Sequence, residues 1–166
     1  MTGGTNINFV TKRGANNLSG GARFYLTDDS MQADNVPDTV QQSNLNGNTI
    51  SSIKDYGFNI GGSLIKDKIW FWGSYGVQDI NLMDMRGDAD ATMLRTFNAK
   101  FNFAFGNHRI ELYGVYNDKI KEGRKRYPLD YYEAGRKQTG PAYIFKIQDE
   151  ITLGSSGLLS IKASYT

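Results

Sequence analysis

The sequence predicts an all-β chain of antiparallel up-and-down hairpins that forms part of a transmembrane β-barrel. Three observations carry this expectation. Apolar and polar residues alternate: Tyr56, Phe58, Ile60, Gly62 and Leu64 take every second position, with Gly57, Asn59, Gly61 and Ser63 between them. Period two marks a strand with two unlike faces. The apolar face recurs along the chain with no helical pattern to cover it, which makes lipid the covering medium. Connections also sort by length. Short turns near Lys66-Asp67, Gly106-Asn107 and Gly154–Gly157 alternate with long polar stretches at Asp28–Lys54, Asp79–Ala91 and Asp118–Gly140. Outer-membrane barrels keep short turns on the periplasmic side and long loops outside.

Each element follows from its own residues. Thr5–Thr11 reads as a first short strand, and Lys12–Asn17 as a turn-rich break. Leu18–Thr27 places Ala22, Phe24 and Leu26 on one face and Gly21, Arg23 and Tyr25 on the other. A hairpin spans Tyr56–Val77 around the Lys66-Asp67 turn and carries the run Ile69-Trp70-Phe71-Trp72. In Thr96–Phe105, the residues Phe97, Ala99, Phe101, Phe103 and Phe105 oppose Asn98, Lys100 and Asn102. Arg109–Asn117 returns with Ile110, Leu112, Gly114 and Tyr116 on the matching face. Tyr143–Leu153 and Leu158–Thr166 close the series, the latter alternating Leu159, Ile161, Ala163 and Tyr165 with polar residues. These strands run roughly nine to eleven residues, the length that crosses a bilayer at a steep tilt. About seven follow the short first one. Single-chain bacterial barrels have an even number, eight or more, and lipid satisfies no open edge. The expectation is therefore an incomplete barrel that closes with further sequence.

Composition agrees. Of 166 residues, 39% are hydrophobic and 13% aromatic, with 19 glycines and no cysteine. Mean hydropathy is −0.49. No run is long and apolar enough for a transmembrane helix, which leaves barrel strands open because they are half polar. A formal charge of +2 gives no argument for a nucleic-acid partner. The absence of cysteine rules out disulfides and thiolate metal sites. Met1 leads into a Gly/Thr/Asn segment with no export-signal pattern, so a barrel reading requires a longer precursor.

The alternation assigns faces. Phe58, Ile60, Leu64, Phe97, Phe101, Phe103, Ile110 and Leu112 are expected to face lipid. Asn59, Asn98, Lys100, Asn102 and Glu111 are expected to face the lumen, along with Ser63, Arg109, Lys146, Gln148, Glu150 and Lys162. A Lys or Arg facing lipid at the midplane costs roughly 2–4 kcal/mol, so these must point inward. Trp70 and Trp72, just after a short turn, suit an interfacial aromatic belt. That placement sends Ile69 and Phe71 the other way, toward the lumen. Asp149 breaks its strand's pattern by sharing a face with Phe145 and Ile147, which fits either an interface position or a bulge. Asp28, Asp29, Asp34 and Asp38 lack EF-hand spacing and read as a solvated loop. The basic run Lys119–Arg126 could touch anionic lipopolysaccharide or simply be a charged loop. His108 has no Cys or His partner for a metal site. No catalytic constellation is present, so no enzyme and no cofactor are expected.

Two segments also resemble a known family. Gly3-Gly4-Thr5-Asn6-Ile7-Asn8-Phe9-Val10-Thr11-Lys12-Arg13-Gly14 is similar to the end of the plug domain in TonB-dependent outer-membrane receptors, and Leu18–Tyr25 to their first barrel strand. Gly61-Gly62-Ser63-Leu64-Ile65-Lys66-Asp67-Lys68-Ile69-Trp70-Phe71-Trp72 resembles their first periplasmic hairpin, most like the Oar-like branch with its carboxypeptidase-regulatory-like domain. Ser63 and Leu64 stand where that branch commonly has Gly-Pro. The resemblance implies a plug end over residues 1–14 and barrel strands over 15–166, in a bacterial outer membrane. It implies a full-length protein that takes up a scarce extracellular solute (a small molecule, glycan or peptide) through its outer loops, driven by the TonB complex acting on the plug. The alternatives are a structural or adhesive surface protein on the same scaffold and a soluble β-sandwich binding module.

Overall fold

A computed structural model describes residues 11–33, 36, 37, 39, 47–125 and 131–166, with the backbone alone at Tyr132. Among these residues the fold is all-β. Eight strands form one antiparallel sheet: β1 (Ser19–Asp28), β2 (Thr49–Ile65), β3 (Ile69–Met83), β4 (Ala89–Phe105), β5 (His108–Arg124), β6 (Arg136–Thr139), β7 (Ala142–Leu153) and β8 (Gly157–Tyr165). Neighbours in sequence are neighbours in space, in the order β1-β2-β3-β4-β5-β7-β8. The short β6 pairs with the far end of β5, in line with β7. The sheet is open, with β1 and β8 at its edges.

The expected short turns all lie at one end. Each uses a left-handed residue to reverse the chain: Asp67 at φ 60°, Gly106 at φ 56° and Gly154 at φ 61°. Glycine reaches this region without steric cost, and Asp tolerates it. At the opposite end the strands run on beyond the regular alternating apolar stripe. β2 begins at Thr49, β3 ends at Met83, β4 begins at Ala89 and β5 ends at Arg124. The stretch expected as a loop at Asp79–Ala91 is therefore mostly strand, with only residues 84–88 joining β3 to β4. The expected Asp118–Gly140 loop likewise contains the end of β5 and all of β6. Backbone pairing needs no apolar/polar alternation, so strand ends whose faces mix charged, polar and apolar residues read as loops in sequence.

Register fixes the faces. Ala22, Phe58, Tyr75, Phe97, Tyr116 and Tyr143 form one cross-strand row. Gly62, Phe71, Phe101, Leu112, Ile147 and Ala163 form another on the same face. The opposite face carries the row Trp72, Lys100, Tyr113, Lys146 and Ser164, flanked by the row Trp70, Asn102, Glu111, Gln148 and Lys162. Burial is inverted relative to a water-soluble sheet. Phe58, Phe97 and Phe145 are 54%, 52% and 57% exposed, whereas Lys100 is 5% exposed. Among the described residues Val77 is the buried hydrophobic side chain, lying beside Tyr56 and Arg95 on the aromatic face.

Candidate functional site

The polar face is the covered one because residues 11–17 lie across it on their way into β1. Gly14 is buried there. A Cβ at this position would stand 2.2 Å from the Phe71 carbonyl oxygen and 2.5 Å from that of Gly62. Its own Cα lies 3.5 Å from where a Gly61 Cβ would be. Two backbones therefore touch at a glycine crossing that no other residue type permits.

Polar contacts pin the segment on both sides of this crossing. Upstream, Lys100 Nζ donates to Thr11 Oγ1 at 2.8 Å and pairs with Glu111 Oε2 at 2.8 Å. Glu111 also meets Lys146 at 3.3 Å. A lysine so buried is tolerable because its charge and donors are matched. Downstream, Asn16 acts as a buckle. Its Nδ2 donates to Asp67 Oδ1 at 2.6 Å, and its Oδ1 accepts from the Asp67 N–H at 3.1 Å and the Trp70 indole N–H at 2.9 Å. Its carbonyl accepts from Ser63 Oγ at 2.9 Å. The left-handed Asp67 turn and the incoming segment are thus held by one side chain. Further along, Tyr113 Oη donates to Asn98 Oδ1 at 3.2 Å and Asn98 Nδ2 to Ser74 Oγ at 3.2 Å. Asn102 Oδ1 is buried without a partner among the described residues.

The structure brings Asn59, Asn98, Lys100, Asn102 and Glu111 onto this one face, as the alternation required. Phe58, Ile60, Phe97, Phe101, Phe103, Ile110 and Leu112 share the other. Leu64 is exposed within the register shift between Ser63 and Ile65. Trp70 and Trp72 require correction. They do share a face, but it is the polar one, opposite Ser63 and Gly61, while Ile69 and Phe71 lie on the aromatic face. The reason is local. Gly61 leaves room for the Trp72 ring, whose Cδ1 lies 2.9 Å from the position of an absent Cβ. The Trp70 indole N–H finds its acceptor in Asn16.

Sequence reasoning left Asp149 between two explanations. Its register with β5 and β8 is continuous, so no bulge exists there. It stays on the aromatic face and pairs with His108, Nδ1 to Oδ2 at 2.7 Å, near the short-turn end. No motif signals that pair, because the β5–β7 register depends on a connection whose length does not fix it.

At the long-loop end the acidic and basic residues are largely matched. Asp28 caps a single turn by accepting from the Ser30 N–H at 3.2 Å. Asp34 and Asp38 lie outside the described residues, as do Arg126 and residues 5–10 of the expected strand Thr5–Thr11, whose described end, Thr11, is not in a strand. Within the basic run, Lys121 pairs with Asp90, and Lys125 reaches Asp84 Oδ2 at 2.6 Å and also Asp88. Asp84 Oδ1 accepts from the Arg86 and Asp88 N–H groups at 2.9 and 3.0 Å. Burial pushes the Asp84 carboxyl up, but Lys125 and these N–H groups outweigh it and hold its pKa below the ordinary value. Burial pulls Lys125 down, and its bonds to Asp84 and Asp88 more than offset this, raising its pKa. Of the three stretches expected to capture ligand, residues 84–88, parts of Asp28–Lys54 and parts of the β5–β7 connection remain loop-like among the described residues.

Comparison of the chain with protein-family models, with curated proteins and with solved structures finds no match.

Proposed function

We propose that this chain is a portion of a TonB-dependent outer-membrane receptor: residues 15–166 supply barrel strands and the segment up to Gly14 is the end of a plug. The intact protein would capture a scarce extracellular solute at the long-loop end and import it through TonB-driven movement of the plug. The observation that carries this reading is the inverted burial. Aromatic and aliphatic side chains cover the open face, while lysine, glutamate and asparagine occupy the face that is packed against protein. Water penalises that arrangement, and a bilayer favours it provided every strand is paired. The segment Thr11–Asn17 supports the plug assignment by its position, since it crosses the polar face before β1 begins. Function rests further on the resemblance of the plug-end and first-hairpin segments.

The test is fractionation of the full-length protein with its flanking sequence. It should co-sediment with outer membrane and change its gel mobility on heating, as closed barrels do. Recovery as a monodisperse protein without detergent would overturn the membrane reading. Uptake of the solute that persists after deletion of the receptor would leave a surface scaffold without transport.

A further inference from the structure

Residues 11–17 are fastened to the polar face at two places of unlike kind. The segment starts over Lys100 on β4, crosses β3 and β2 at Gly14, reaches the β2–β3 turn at Asn16 and then leads into β1. The downstream fastening is a steric crossing backed by a set of bonds. The Gly14 backbone lies against the carbonyls of Phe71 and Gly62, and Asn16 makes four hydrogen bonds to Ser63, Asp67 and Trp70. All of these partners belong to one hairpin, β2–β3, so the bonds hold together. The upstream fastening is a single cation. The Lys100 ammonium reaches Thr11 Oγ1 at 2.8 Å and the Thr11 carbonyl at 3.4 Å. The same ammonium pairs with Glu111 Oε2 at 2.8 Å, while Lys146 meets Glu111 Oε1 at 3.3 Å. Departure of Thr11 therefore leaves Lys100 on a carboxylate, and no buried charge is orphaned. Between the two fastenings, Lys12 and Arg13 are exposed and have no hydrogen-bond or ion-pair partner among the described residues.

We infer that this segment is a strap with one releasable end and one fixed end: residues 11–13 peel away from β4 while residues 14–16 stay on the β2–β3 hairpin as the pivot. Release at Thr11 breaks bonds to one ammonium that keeps its second partner. Release at Asn16 breaks four bonds and also requires two touching backbones to separate at Gly14. The strap thus opens from its Thr11 end and stops at Gly14. Opening uncovers the Lys100–Glu111–Lys146 group on the polar face and leaves the entry into β1 in place. The inference rests on the reading above for one point, that the peeling end belongs to a plug that moves. The Lys100–Thr11 contact is then the one that plug movement breaks before Gly14 lifts.

The experiment places single nitroxide labels at two exposed positions, through Lys12→Cys and Asn17→Cys, in the full-length protein. Rising urea should mobilise the label at 12 below the unfolding transition, while the label at 17 keeps its native line shape. Thr11→Val removes the hydroxyl acceptor without touching the sheet. Loss of one hydrogen bond to a charged group should raise the mobile fraction at 12 about ten-fold and leave the label at 17 unchanged. Labels that mobilise together at any urea concentration, or a label at 17 that frees first, overturn the pivot whether or not the Thr11 variant folds. An unchanged spectrum at 12 in Thr11→Val overturns the assignment of Lys100 as the release point. The order of release is readable in membrane-bound and in soluble protein alike. Recovery without detergent would therefore end the plug reading and leave the strap to be judged by its own labels.

Discussion

Asn16 concentrates more structural consequence than any neighbour of similar size. It accepts from Asp67 and Trp70, donates to Asp67, and lends its carbonyl to Ser63. Asn16→Ala removes the side-chain bonds and strands the Trp70 indole N–H. At about 1 kcal/mol net for each of the three side-chain bonds, the loss should reach about 2–3 kcal/mol. A lowered unfolding midpoint in urea, read by Trp fluorescence, would register it, and an unchanged midpoint would show the buckle to be idle. Gly14 makes a different demand. Any Cβ there meets the Phe71 and Gly62 carbonyls, both of which are backbone and cannot swing aside. Gly14→Val should therefore lift the whole incoming segment. Its signature would be lost protection of the Lys100 ammonium, tested by faster acetylation at that lysine than in the wild-type protein. Equal acetylation rates would mean that the crossing does not hold the segment down.

Elements extend where sequence reading expected loops, and the β3–β4 connection shows why. Asp79, Asn81, Asp84 and Asp88 look like a polar loop, yet Asp79 and Asn81 are paired in register with β2 and β4. Only the five residues 84–88 turn, organised by the Asp84 carboxylate and clamped by Lys125. Sign decides the pH behaviour of that clamp. The lowered pKa of Asp84 means its contribution is complete above about pH 4 and disappears as pH falls through its lower folded value. The raised pKa of Lys125 means its contribution is complete below about pH 10.4 and disappears as pH rises through its higher folded value. A carbon-13 titration of the Asp84 carboxyl should give a midpoint below the ordinary Asp range, returning toward it in Lys125→Met. A midpoint already ordinary in the wild-type protein would refute the clamp. The apolar core of each hairpin was readable because alternation is local: Phe97 to Phe105 oppose Asn98 and Lys100 without reference to any partner strand. What alternation could not supply was registration between strands. The face of Trp70 and Trp72 depends on pairing Gly62 with Phe71, and the meeting of His108 with Asp149 depends on pairing Ile110 with Asp149. Asn16's role was hidden for the same reason, since its partners lie more than 40 residues away: 47 to Ser63, 51 to Asp67 and 54 to Trp70.

At the scale of the whole sheet, the two faces should see different solvents over only part of their height. On β4 the aromatic face is apolar from Phe105 to Phe97, a stretch of nine residues and about the length that crosses a bilayer. One step further, the same face carries Arg95 beside Asp118, and beyond them Lys54 beside Asp79. If the aromatic face meets lipid as proposed, a charge at the midplane would cost roughly 2–4 kcal/mol, falling toward zero at the interfaces, so hydrocarbon would end between Phe97 and Arg95. At the other end, His108 and Asp149 sit in the first and second rows of that face from the short turns, where the cost would also have fallen. Nitroxide labels placed singly along β4 in the reconstituted full-length protein measure this profile. Labels at 97, 99, 101, 103 and 105 should relax with dissolved oxygen, and labels at 98 and 102 should not. The label at 95 should respond to a water-soluble nickel chelate despite sharing the face of 97. A soluble sandwich would instead bury the odd positions from both relaxants. The contrast between 101 and 102 thus tests which medium covers the aromatic face, and the step from 97 to 95 tests where that medium stops.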